Sequence, residues 1–197
     1  MPFIGTIEEK DAAGAVGELY AADRADRGYV MNMTRAFAHR PDVLTAWDEL
    51  NDTIKGGMEL RRYELATLAA ARQLRSSYCM LAHGSVLVER FYEPEVVRSL
   101  AAGEPTAALD EVDVAVMDLA AKVAKDATTV DQGDVERLKS LGLSDRDVVD
   151  VVLAASVRCF FTKTLDALGV QPDAAYAQLE PSLREALTVG RPITAAD

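Results

Sequence analysis

The chain has little of what disulfide scaffolds and metal centres are built from: two cysteines and two histidines in 197 residues. Cys79 and Cys159 are too few for a disulfide framework and wrongly spaced for a zinc site. Aromatic residues are sparse, and no glycine-rich nucleotide-binding loop occurs. No charge-free apolar run approaches the roughly 20 residues that span a bilayer. The start, Met1 to Lys10, has neither the basic n-region nor the apolar h-region of a signal peptide. Cationic side chains are the minority, 21 Lys and Arg against 32 Asp and Glu, for a net charge of −11. That balance argues against a phosphate-backbone partner. The expectations are a cytoplasmic protein with no membrane or nucleic-acid partner, no cofactor and no metal.

What is present points to helices. Ala, Leu, Glu, Arg and Asp dominate, and hydrophobic residues make up 49% of the chain. The length suits one domain over 1–197, with its core at about 5–180. Thr6 with Glu9 reads as a capping box opening a helix over 6–26, ended by Gly28. Helices follow over 32–39 and 41–54, the second opened by Pro41 and broken by Gly56-Gly57. Apolar spacing then predicts helices over 59–74 and 78–91, separated by Ser76-Ser77 acting as a cap. Pro94 opens a short helix, and Gly103-Glu104-Pro105 marks a turn. Further helices are expected over 111–125, 130–141 and 146–168, the last capped by Ser144 and Asp147. Short helices begin near Pro172 and Pro181, and the tail after Gly190 is expected to fray. No alternating run bounded by hairpin signals appears, so the fold class is all-α. Leu68-Ala69-Ala70-Ala71 and Leu153-Ala154-Ala155-Ser156 form a weak internal repeat that suggests two related helical halves.

One segment carries chemistry. Cys79 and His83 are four apart, so on a helix they share a face. With Ser76 or Ser77 as cap, Cys79 falls in the first turn, where exposed N–H groups favour a thiolate, the nucleophilic form. A protonated His83 favours it further. In one unbroken helix Glu64 lies about 22 Å from Cys79, too far to cooperate. A break near Ser76 places Glu64 roughly 18 Å down one arm and His83 roughly 10 Å down the other. Glu64 then reaches His83 more easily than Cys79. The expected chain is Glu64 orienting and charging His83, and His83 serving Cys79. The plainer readings stay open: Cys79 as a small core residue and Glu64 as a solvated helix residue.

Other side chains are read more simply. Tyr78 either lines this site or packs the turn. His39 is a solvated or capping histidine, and Cys159 a buried structural cysteine. Trp47 belongs to the core with Leu44 and Leu50. Arg61, Arg62, Arg72 and Arg75 form a solvated face.

The spacing Glu64-x11-Ser76-x2-Cys79-x3-His83 resembles the core motif of the AhpD-like superfamily of alkylhydroperoxidases and carboxymuconolactone decarboxylases. That motif is typically E-x11-C-x-x-C-x3-H. Gly28-Tyr29-Val30-Met31-Asn32, Arg35 to Pro41, Leu60 to Leu65, Gly142 to Asp145 and Phe160 to Lys163 resemble its peroxidase-related branch. The resemblance implies an all-helical fold assembled as a trimer or hexamer, and an antioxidant thiol peroxidase activity. Its partners would be a hydroperoxide or small organic substrate and an external thiol reductant. It assigns Cys79 as the attacking thiol, with His83 and Glu64 as its proton relay. Ser76 departs from the pattern: it stands where the resolving cysteine belongs and cannot form a disulfide, and Cys159 is the conceivable substitute. Two alternatives accompany this reading. One is a decarboxylase-like acid–base enzyme acting on a small lactone acid through His83 and Glu64. The other is a non-catalytic thiol sensor or scaffold.

Overall fold

The computed structural model describes residues 2–104 and 106–195, and all its regular structure is helical. Ten α-helices follow in order: α1 (Gly14–Arg27), α2 (Asn32–Phe37), α3 (Pro41–Gly57), α4 (Leu60–Gln73), α5 (Ser77–Arg90), α6 (Pro94–Ala102), α7 (Glu111–Asp126), α8 (Gln132–Ser140), α9 (Asp145–Ala167) and α10 (Pro181–Leu187). Short 3-10 turns occupy Glu9–Asp11, Ala127–Thr129 and Ala174–Gln178. Among the described residues no helix is long and apolar enough to cross a membrane.

The core is organised around α4, in which every residue from Tyr63 to Ala71 is buried. A helix buried all round must be packed on several sides, and α5, α7 and α9 all lie against it. Ala66, Ala69, Ala70 and Ala71 let those neighbours approach closely, while Leu65 and Leu68 fill the remaining volume. Truncating either leucine to alanine at full burial costs about 2–5 kcal/mol. The long helix α9 starts where its sequence says. Ser144 and Asp147 bond each other's backbone N–H groups in a capping box.

The turn between α4 and α5 positions everything that follows. The N–H of Ser76 donates to the Ala71 carbonyl and that of Arg75 to Arg72, the paired bonds that close a helix with one left-handed residue. That residue is Arg75, at φ 55, where glycine is usual. The C-terminal segment locks the turn from outside. The Gly190 N–H donates to Ser77 Oγ at 2.8 Å, and any Cβ on Gly190 collides with the Arg75 carbonyl.

Several expectations need correction. Thr6 and Glu9 do not open a helix. Instead the Glu9 carboxylate pairs with Arg24 and Arg35, and α1 begins only at Gly14. Ser76 sits at the N-cap of α5 but its hydroxyl caps nothing; it is buried and its Oγ has no hydrogen-bond partner among the described residues. The tail beyond Gly190 is docked, with Arg191 donating to the Asp166 carbonyl and the Thr194 N–H to that of Pro172. Its last residues, 196 and 197, lie outside the described residues, as does Pro105 of the expected turn. Arg61 and Arg62 are not a solvated face: both pair with the buried Asp113 of α7. Arg72 is half-buried against Gly103, and only Arg75 of the four is exposed. Leu50 points outward, although Trp47 and Leu44 are core. Within the weak repeat Leu68 is buried and Leu153 exposed.

Candidate active site

Cys79 is the third residue of α5 and is almost fully buried. Its Sγ meets two side chains of α9. Thr162 Oγ1 is 3.1 Å away, and Arg158 Nη1 reaches it at 3.9 Å. Arg158 and Thr162 are four apart, so one stripe of α9 presents both to the sulfur. Cys159 is rotated about 100° from that stripe, is only half-buried, and is a free thiol like Cys79. It is therefore not the buried residue expected from its apolar context.

Among the described residues Arg158 is held in place without a carboxylate. Nη2 donates to Tyr63 Oη at 3.2 Å, and the Tyr63 hydroxyl donates to Asn51 Oδ1 at 2.6 Å. The guanidinium also lies against the Trp47 and Phe161 rings, which stack at 4.0 Å. Burial opposes its charge, yet Cys79 and Tyr63 hold its pKa above the ordinary arginine value.

The second half of the site is a buried carboxylate with its partners. Glu64 accepts from His83 Nδ1 at 2.6 Å through Oε2, and Lys55 Nζ stands 3.5 Å from Oε1. Burial pushes the Glu64 pKa up, but the His83 hydrogen bond and Lys55 bring it below the ordinary value. His83 moves the other way to expectation. Burial first, then the Arg158 charge, hold its pKa below the ordinary value despite Glu64. At neutral pH the imidazole is neutral. Beside an ionised carboxylate its proton sits on Nδ1, leaving the Nε2 lone pair free to act as a base. The expected charging of His83 by Glu64 is thus corrected, because desolvation and Arg158 outweigh one carboxylate already shared with Lys55.

Glu64 and His83 are brought together; His83 and Cys79 are not hydrogen-bonded among the described residues. Tyr63 stands between the halves, bonded to Arg158 on one side and edge-on to His83 at 6.2 Å on the other. Tyr78 does not line the site. Its hydroxyl donates to Asp173 Oδ2 at 2.5 Å and accepts from the Met33 N–H at 3.4 Å, clamping α2 to the 174–178 turn. Ser76 Oγ is buried and has no hydrogen-bond partner among the described residues. His39 is exposed, with Nε2 at 2.7 Å from the Gly5 carbonyl.

Reading the sequence missed Arg158, Thr162 and Tyr63. A signal for the first two was present: Arg158 and Thr162 are the polar pair at helical spacing within an otherwise apolar stretch of α9. Among the described residues no group of three or more His, Cys, Asp or Glu side chains is arranged to hold a metal ion.

The helical bundle that holds these residues has counterparts among solved structures. No family model matches the sequence, and no curated protein matches it. The crystal structure described as an AhpD core, an uncharacterized peroxidase-related protein from Ralstonia eutropha JMP134, superposes with a TM-score of 0.80. It is 23% identical, over 89% of this chain and 94% of that one. An uncharacterized peroxidase-related protein from Silicibacter sp. TM1040 gives 0.74 at 21% identity, over 90% and 96%. The debrominase Bmp8 gives 0.74 at 12% identity, over 94% and 97%. The chain therefore has the AhpD-like all-α fold, as its motif implied. The debrominase shows that this fold carries other activities as well.

Proposed function

We propose that the protein is a thiol-dependent oxidoreductase that reduces an organic hydroperoxide through Cys79. The observation that carries this reading is the convergence of Arg158 and Thr162 on one buried sulfur. Two neighbours named as peroxidase-related support the class.

In this reading the Cys79 thiolate attacks the distal peroxide oxygen and the O–O bond breaks. The alkoxide leaves as an alcohol after taking a proton, and the sulfur becomes a sulfenic acid. His83, neutral and oriented by Glu64, moves that proton through Nε2 across the bound substrate, because it does not bond Cys79 directly. Ser76 has no thiol, and Cys159 is off the Cys79-facing stripe. An external thiol therefore attacks the sulfenic acid, releases water, and leaves a mixed disulfide that a second thiol reduces.

We further read the protein as a cytoplasmic homo-oligomer, a trimer or hexamer. Leu50, Leu153 and Phe160 are exposed around an apolar groove of about 570 Å³ between α3 and α9, which supports self-association.

The test is sulfenate trapping. Cumene hydroperoxide followed by a dimedone-type probe should label Cys79, and Cys79→Ser should abolish both labelling and thiol-dependent turnover. No label on Cys79 removes the peroxidase reading. One observation favours a second reading: the neutral His83 with a free Nε2 is also equipped for proton abstraction from a small lactone acid. Activity on such an acid retained in Cys79→Ser would select it.

A further inference from the structure

Arg72 lies in the last turn of α4, about 12 Å along the helix from Glu64. It lines a cavity of about 240 Å³ together with Leu100 of α6 and Val114, Met117 and Asp118 of α7. Five arginines have a buried Nε without a hydrogen bond, and four of them find a partner elsewhere on the guanidinium or face a carboxylate. Arg62 faces Glu59 and Asp113, Arg98 bonds Ser182, Arg158 bonds Tyr63, and Arg191 bonds the Asp166 carbonyl. Arg72 differs: among the described residues it makes no hydrogen bond and no ion pair. Its guanidinium rests against Gly103, where any Cβ would collide with Nη1. The cavity wall is therefore built so that this side chain fits into it.

Two carboxylates line the same cavity, and neither pairs with Arg72. Asp118 Oδ2 accepts from Arg137 at 2.7 Å, and Glu104 pairs with no cation among the described residues. A guanidinium takes a carboxylate through two parallel N–H bonds, and carboxylates take an ammonium. A plain anion here would meet Glu104 and Asp118, and a plain amine would meet Arg72. Opposite charges held apart around an apolar chamber instead match a small head that carries both signs. We propose that this cavity binds a free α-amino acid with an apolar side chain. The carboxylate sits on Arg72, the ammonium on Glu104 and Asp118, and the side chain against Leu100, Val114 and Met117. The volume falls just below the roughly 300–1,000 Å³ of sites for drug-sized ligands, as a ligand of this size requires. The site is separate from the Cys79 cluster and does not rest on its chemistry.

The test follows the Met117 methyl signal by NMR in the full chain labelled at its six methionines, with Met117→Leu assigning the signal. Leucine and phenylalanine are titrated beside three cut-down compounds. Isocaproate lacks the ammonium of leucine, isoamylamine lacks its carboxylate, and glycine lacks its apolar side chain. Leucine or phenylalanine should shift the signal saturably, with a dissociation constant of about 1 mM or below. Each cut-down compound should bind at least about tenfold more weakly. Arg72→Met should abolish the saturable shift, and Arg72→Lys should keep part of it.

No shift of the Met117 signal with either amino acid, up to its solubility limit, overturns the proposal. So does an acid or an amine that binds as tightly as leucine, since the site then reads one charge only. Binding unchanged in Arg72→Met overturns it as well. Should that variant fail to fold, the comparison of the compounds on the unsubstituted chain decides. Because no thiol chemistry is measured, loss of the peroxidase reading leaves this outcome untouched, and Cys79→Ser should bind leucine as the unsubstituted chain does.

Discussion

The two halves of the buried cluster are built on opposite principles. Around Glu64 every charge is matched, a carboxylate bonded by His83 and faced by Lys55. Around Cys79 the one full charge among the described residues is Arg158, faced by a thiol, two hydroxyl-bearing side chains and aromatic rings. A matched pair holds its geometry unaided; a cation facing a thiol stabilises the negative charge that develops on the sulfur when it ionises. The difference assigns preparation of the proton carrier to the first half and the bond-making step to the second.

The largest expected effect breaks the comparison at its reactive end. Cys79→Ser should lower hydroperoxide turnover by about three orders of magnitude, measured as thiol consumption. Next comes the charge that faces the sulfur. Arg158→Met should reduce the iodoacetamide reactivity of Cys79 about tenfold while the melting temperature stays level or rises. A parallel loss of stability and reactivity would mean that Arg158 is a structural residue. The matched half should respond to pH instead. Glu64 and His83 both have lowered folded pKa values. The unfolded chain therefore binds protons that the folded chain refuses, so stability is full above a pH of about 6.5 and declines as pH falls through the unfolded values of His and then Glu. His83→Gln should flatten the upper part of that decline in a series of thermal melts.

The smallest effects concern the turn that holds the halves together. Gly190→Ala forces a Cβ into the Arg75 carbonyl and should cost about 1–3 kcal/mol by denaturant unfolding. Arg75→Gly removes the left-handed strain and should return about 0.5–1 kcal/mol.

Local signals were legible where local physics decided the outcome. The capping box at Ser144 and Asp147 appears as read, because both partners lie within one turn and no distant group competes. At Thr6 and Glu9 the same pattern is overridden, since Arg24 and Arg35 offer the Glu9 carboxylate two charge-assisted bonds. Arg61 and Arg62 read as solvated because nothing nearby in sequence marks Asp113 as their buried partner. Tyr78 sits next to Cys79 in the chain yet turns away, since the Asp173 carboxylate on a distant turn accepts its hydroxyl.

The sequence by itself determined an all-helical chain, a helix break between Glu64 and Cys79, and a spacing that lets Glu64 meet His83 on the returning arm. Each follows from periodicity, turn chemistry and the fixed rise of a helix. Only the tertiary structure decided what the sulfur faces and which charge His83 carries. Both depend on α9 delivering Arg158 and Thr162 from some 80 residues away, and on burial. Desolvation and cross-helix charge have no signature in the neighbouring residues of the chain.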